Sequence, residues 1–232
     1  MNGVAVVSGG AGGIGQGIVQ ALRAADWDVA VLDLQHSSHA SMSVKCDVTD
    51  AEAVKEAVQE VEGALGPPTR LVCAAGIVSE IPLTDLPESE WKRVIDVSLT
   101  SAFLLSRSIL PGMIEAGGGS IVTLSSGWGR KGYPLGAHYA AAKSGVEALT
   151  KSIALEYATR GIRCNSVAPG PVRTAMVENN ADFDEATKSK IIPMGRIGEV
   201  RDVVAPIMFL LGDGAAYITG QVLHVNGGML MP

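Results

Sequence analysis

The sequence predicts one α/β domain over residues 1–232, a doubly wound parallel sheet of about seven strands with helices on both faces. Two observations carry that prediction. Short, apolar, β-branched runs alternate along the chain with longer stretches of helical periodicity, the order that builds βαβ units. The 232 residues are 47% hydrophobic, with 28 glycines and mean hydropathy +0.27, which suits one large core whose helices approach the sheet closely. No internal repeat, linker or second domain interrupts the pattern.

Gly3 to Ser8 (GVAVVS) reads as a buried strand. The turn Gly9, Gly10, Ala11, Gly12, Gly13, Ile14, Gly15 follows, then a helix through Ala24 and a strand Val29 to Leu34 with Asp33 at its end. The glycines let backbone approach a pyrophosphate at a helix N-terminus. Asp33, with Leu34 beside it, stands eighteen residues after Gly15, where a carboxylate accepts from both ribose hydroxyls and repels a 2′-phosphate. This βαβ unit therefore predicts a Rossmann fold that binds NAD rather than NADP. Only thirteen residues separate Asp33 from Asp47, so the next crossover is a short turn into a strand over Val44 to Val48.

Thr49 or Asp50 caps a helix through Leu65, and Pro67-Pro68 end it. Arg70 to Ala75 is a strand that runs into Gly76. One helix is expected from Glu88 to Gly112, with Trp91, Val94, Ile95, Leu99, Phe103 and Leu104 as its apolar face. Ser120 to Leu124 is a strand ending before Ser126, and a helix follows in AHYAAAKSGVEALTKSIALEYA. Ile162 to Ala168, a helix from Asp202 to Leu211 and a strand Gly220 to Val225 complete the order. The polar, acidic segment 175–193 reads as a substrate lid.

Composition excludes several classes. Net charge is −6, so nothing attracts a polyanion and nucleic acid is not an expected partner. Cys46, Cys73 and Cys164 are far apart, and neither they nor the four histidines have metal-ligand spacing. Three unpaired cysteines and a chain that enters a strand at once suggest reduced thiols in the cytoplasm. Gly3 to Leu22 is uncharged, but seven of its residues are Gly, which argues against a membrane span.

The chemistry concentrates between Ser126 and Lys143. Tyr139 and Lys143 are four apart on one helix and share a face. An ammonium about 4 Å from a phenol favours phenolate by roughly 4 kcal/mol at an effective dielectric of about 20, some three pKa units. That would bring Tyr139 towards neutrality, where general acid–base catalysis is most effective. Ser126, at a strand end, can hold the same substrate oxygen. Trp128, Arg130 and Lys131 follow in the same loop, and the two cations could recruit a carboxylate.

These residues together resemble the short-chain dehydrogenase/reductase family over essentially the whole length. Gly9, Gly13 and Gly15 stand at its T-G-x-x-x-G-x-G turn, and Asp47-Val48 where the family contacts adenine. Ala74, Ala75 and Gly76 complete its N-N-A-G element. Ser126, Tyr139 and Lys143 match its catalytic trio. Pro169-Gly170 with Val172 and Thr174 match the motif that holds the nicotinamide carboxamide. Ser8 replaces the usual Thr, Cys73 the first Asn of N-N-A-G, and Ser98 the Asn that anchors a water and proton relay behind the lysine.

The resemblance implies hydride transfer between nicotinamide and a secondary alcohol or ketone, with hydroxy acids, diols or other anionic substrates among the options. It also implies a homo-oligomer, tetramer or dimer, through the helices near Trp91–Leu105 and Gly145–Tyr157. A lyase or isomerase using bound NAD, or a non-catalytic regulatory NAD-binding chain, are the other readings of the same residues.

Overall fold

The computed structural model describes residues 3–174 and 189–231. Seven parallel strands form one sheet: β1 (Val4–Ser8), β2 (Asp28–Asp33), β3 (Met42–Lys45), β4 (Pro68–Cys73), β5 (Gly119–Leu124), β6 (Ile162–Pro169) and β7 (Val222–Val225). Their order is β3-β2-β1-β4-β5-β6-β7, so the winding reverses between β1 and β4. The helices are α1 (Gly13–Ala24), α2 (Ala51–Leu65), α3 (Glu88–Ile95), α4 (Ser101–Glu115), α5 (Trp128–Lys131), α6 (Ala137–Tyr157) and α7 (Val200–Leu211).

The apolar runs lack polar alternation because both faces of the sheet are covered. Val4, Val6, Ala30, Leu32, Leu71 and Ile121 point to one face, where they meet Val58 and Val61 of α2, Leu105, Ile109 and Met113 of α4, and Ile153 of α6. Ala5, Val7, Val29, Val31, Val72 and Val122 point to the other, against Ile18 and Leu22 of α1 and Val203 and Ile207 of α7. Asp50, not Thr49, caps α2, accepting from the Glu52 and Ala53 amides at 2.9 and 3.1 Å; such a cap contributes about 1 kcal/mol.

Two elements differ most from the expectation. The third strand is Met42–Lys45 rather than Val44–Val48, because Asp47 accepts from the amide and hydroxyl of Thr49 and so turns the chain. The β2-to-β3 crossover is indeed without a helix. The expected helix Glu88–Gly112 extends to Glu115 and is interrupted by a π-helical turn at Asp96–Thr100. That turn shifts the helical register, which leaves Trp91 and Phe103 at 39% and 43% exposure while Val94 and Leu104 are buried. The span Glu88–Glu115 is long and apolar enough to cross a membrane, but half of its most apolar window is buried inside this fold. Of the expected lid 175–193, residues 175–188 lie outside the described residues.

The β1–α1 turn is packed backbone on backbone. A Cβ on Gly15 would sit 2.0 Å from the Gly9 carbonyl oxygen, and one on Gly9 would sit 2.8 Å from the Ala75 backbone. Neither contact is a flexible side chain end, so neither can yield cheaply. Gly15→Ala is expected to cost about 3 kcal/mol or more in urea unfolding. A loss under about 1 kcal/mol would show that the turn can open without the sheet.

Candidate active site

A cavity of about 680 Å³ runs along the carboxyl ends of the strands at the switch point, where open parallel sheets bind ligands. Every strand from β1 to β6 delivers a predicted residue to it. Gly9 follows β1, Asp33 and Leu34 end β2, and Asp47-Val48 follow β3. Ala74 and Gly76 follow β4, Ser126 follows β5, and Pro169-Gly170 end β6 with Val172 and Thr174 beyond. Gly13, Ile14 and Gly15 line it from the start of α1, and Tyr139 and Lys143 from α6.

One end is built for a dinucleotide. The N-cap of α1 is Gly12, with no capping side chain and no acid in the first turn, so the first amides of the helix remain available to an anion. Asp33 accepts from the Ala11 amide at 3.1 Å and the Gln35 amide at 3.0 Å, which fixes its carboxylate at the mouth of the turn. The described lining residues include one cation, Lys143, and it lies at the other end. Thr174 donates to the Val172 carbonyl at 3.3 Å, and the Gly170 amide to Val225 at 3.0 Å, tying the β6 exit to β7.

The other end carries the candidate reacting groups. Tyr139 and Ser126 come together here, near enough for the serine hydroxyl to act on the phenol. Burial holds the Tyr139 phenol above its ordinary value, and the Ser126 hydroxyl pulls it partly back. The expected strong lowering by Lys143 is absent from the cofactor-free chain. Lys143 Nζ lies 5.7 Å from the Tyr139 ring centroid and donates to the Leu124 carbonyl at 2.7 Å. Burial pushes this ammonium down to about 8, with the nearby Cys73 opposing. Here desolvation of two buried groups outweighs their mutual attraction.

Ser98 does not line the cavity. It sits buried on the π-helical turn, accepting from the Ile77 amide at 3.3 Å and donating to the Ile77 carbonyl at 3.4 Å. A Cβ on Gly76 would stand 3.2 Å from Lys143 Nζ and 3.7 Å from Ser98 Oγ, so both groups flank that glycine from behind. Ser98 therefore positions the loop after β4 rather than facing the cavity.

The expected cationic pair has partners within the chain. Arg130 is ion-paired with Glu147, whose side chain is 4% exposed and also accepts from Ser125 at 3.0 Å. Removing Arg130 would leave a buried carboxylate uncompensated. Lys131 lies over the Trp128 ring at 5.8 Å. Neither lines the cavity, whereas Trp128 does. Sequence reasoning missed Tyr133 and Glu80, which line the cavity and are hydrogen-bonded to each other, and Ile191 and Met229 at its rim. No periodicity or motif marks these loop residues.

Because Lys143 is held below its ordinary 10.5 in the folded chain, the unfolded chain binds the extra proton between about pH 8 and 10.5. The penalty on the folded state is full below pH 8 and fades as pH rises through that window. Cofactor-free Lys143→Met is therefore expected to exceed the parent by about 2 kcal/mol at pH 7 in urea unfolding, with the gain shrinking by about pH 10. A gain that does not change with pH would mean that burial of the ammonium is not its source.

Comparison with known proteins agrees with this geometry. Residues 9–230 match the family described as enoyl-(acyl carrier protein) reductase. The chain is 35% identical over 247 residues to an uncharacterised short-chain type dehydrogenase/reductase of Sinorhizobium fredii, covering 98% of this chain and 97% of that protein. It is 37% identical over 240 residues to a 3-oxoacyl-[acyl-carrier-protein] reductase of Staphylococcus aureus, covering 98% of each. Among solved structures, the ligand-free aldohexose dehydrogenase of Thermoplasma acidophilum superposes with TM-score 0.93 at 32% identity, covering 98% of this chain and 93% of that one. The crystal structure of gox2181 superposes equally well, with TM-score 0.93 at 32% identity over 98% and 95% of the two chains. The chain belongs to the short-chain dehydrogenase/reductase family of oxidoreductases.

Proposed function

We propose that this oxidoreductase is NAD-dependent and transfers a hydride between nicotinamide and a secondary alcohol or its ketone. The carrying observation is that Ser126 and Tyr139 line one end of the cavity together, with Lys143 Nζ 5.7 Å from the Tyr139 ring, while Asp33 lines the other. Gly9, Gly13, Ile14 and Gly15 would hold the pyrophosphate, Asp33 and Leu34 the adenosine ribose, and Asp47-Val48 the adenine. Pro169, Gly170, Val172 and Thr174 would hold the carboxamide. Gly13 supports this assignment, since a Cβ there would reach only Thr174, at 3.7 Å, leaving the cradle open. When bound, nicotinamide supplies the hydride acceptor or donor.

The chain's own residues handle the oxygen and the proton. Ser126 donates to the substrate oxygen and holds it in line. In the oxidation direction Tyr139 Oη takes the carbinol proton, and in reduction it gives one back. Burial keeps the Tyr139 phenol in its neutral form, so proton uptake from the carbinol needs the phenolate to be favoured, and Lys143 supplies that by placing its ammonium beside the ring. The Asp33 carboxylate, with no arginine or lysine at that end of the cavity among the described residues, disfavours a 2′-phosphate.

The relatives named as 3-oxoacyl reductase and aldohexose dehydrogenase both interconvert carbinol and carbonyl carbons, which supports the reaction class. The residues 175–193 are proposed as a lid over this site, with Ile191 already at its rim. The buried, unpaired Cys46, Cys73 and Cys164 suit a reducing, cytoplasmic setting, which cell fractionation checks. Neither nucleic acid nor membrane is proposed as a partner, given the net charge of −6. A homo-oligomer is proposed, supported by exposed Trp91, Phe103 and Leu155 on α3, α4 and α6. Light scattering should give a multiple of 24.0 kDa at micromolar concentration, and a monomer would remove that proposal.

NADH formation at 340 nm with a panel of secondary alcohols, and less with NADP, is the expected result. Tyr139→Phe should lower kcat/KM by about 10³-fold while the fluorescence-titrated NADH affinity stays within a few-fold. Brisk turnover by that variant would remove Tyr139 from the role.

A further inference from the structure

The outer wall of the reacting end carries a carboxylate that the hydride-transfer machinery does not use. Glu80 lines the cavity and accepts a hydrogen bond from the Tyr133 hydroxyl. Its neighbours are pinned on both sides. The Ser79 hydroxyl donates to Glu90 at 2.5 Å and lies 2.8 Å from His138 Nε2, while the Ile81 amide donates to the Leu135 carbonyl at 2.7 Å.

Tyr133 is equally fixed. Its ring stacks on Trp128 at 4.5 Å and meets Tyr139 edge-on at 6.2 Å. It lies so close over Gly136 that a Cβ there would come within 2.2 Å of the ring. Beside it Leu135 holds φ +63, a left-handed conformation that costs a leucine about 1 kcal/mol. The wall is thus a built surface that presents Glu80 about one ring away from the Tyr139 phenol.

The charge balance of this wall is one-sided. The described cavity-lining acids are Asp33, Asp47 and Glu80, and the lone base, Lys143, is committed to the Leu124 carbonyl. Among the described residues no ion pair involves Glu80. One of its oxygens takes the Tyr133 hydroxyl, and Glu80, exposed at the cavity wall, keeps further acceptor capacity for a ligand hydroxyl. A carboxylate substrate would meet like charge there, with Arg130 and Lys131 held elsewhere. An ammonium would lack a ring cage, because Trp128 and Tyr133 stack on each other.

We infer that the substrate is a neutral polyhydroxylated alcohol of the sugar or polyol type, with its reacting carbinol at Ser126 and Tyr139, a second hydroxyl donated to Glu80 and a C–H face on the Tyr133 ring. This rests on the dehydrogenase reading above and narrows it to one substrate class, setting hydroxy acids aside.

The test compares kcat/KM with NAD for a hexitol and an aldohexose against a 2-alkanol, a 2-hydroxy acid and an amino alcohol. The hexitol or aldohexose should be preferred. Glu80→Gln should lower the polyol-to-alkanol ratio about 10-fold, the loss expected when a charged acceptor is neutralised. It should raise the hydroxy-acid-to-alkanol ratio. Preference for the alkanol, the hydroxy acid or the amino alcohol would overturn the inference and leave the dehydrogenase reading intact. A Glu80→Gln variant that slows every substrate alike would overturn it too, by marking Glu80 as structural. Silence with every compound would remove both readings together.

Discussion

The architecture depends on one close approach, where the first turn of the chain meets the backbone after β4. The Gly9 carbonyl sits where a Gly15 side chain would be, and Gly9 itself lies against Ala75. Only bare backbone allows β1 and β4 to pair while α1 starts at once behind them. That contact sets the switch point, leaves the first amides of α1 uncapped, and brings the ends of β1 to β6 to one edge. The long cavity is the consequence of that geometry rather than a separate feature.

Burial then governs the electrostatics along the cavity. Lys143 and Tyr139 are both pushed towards their neutral forms in the cofactor-free chain, one down and one up, because desolvation exceeds their attraction. Close by, the buried Glu147 is ion-paired with Arg130 and accepts a hydrogen bond from Ser125. Since Ser125 also donates to the Lys143 carbonyl at 3.1 Å, that ion pair ties the Trp128 loop to the lysine's own helix. Arg130 thereby braces the loop against α6.

The fold and most of the site were legible because they rest on local spacing. Apolar runs, the glycine turn, Asp33 at a strand end and Tyr139 four residues before Lys143 each imply their geometry without knowledge of distant contacts. The readings that failed were those needing a partner from elsewhere. Arg130 and Lys131 look free in sequence, yet Glu147 and Trp128 claim them. Ser98 carries no local sign that it will bond the Ile77 backbone and stay behind Gly76. Nor does the stretch around it announce a π-helical turn, whose wider winding is stabilised by packing rather than propensity.

The sequence by itself determined a parallel α/β sheet and the meeting of its glycine turn, Ser126, Tyr139 and Lys143 at one cavity. It could do so because helix and strand periodicities and the short reach of turns are properties of neighbouring residues. The tertiary structure alone decided which charges reach the cavity, how burial shifts the phenol and the ammonium, and that Tyr133 and Glu80 form its outer wall. Those are sums over groups far apart in the chain, and desolvation in particular exists only once the core has closed around them.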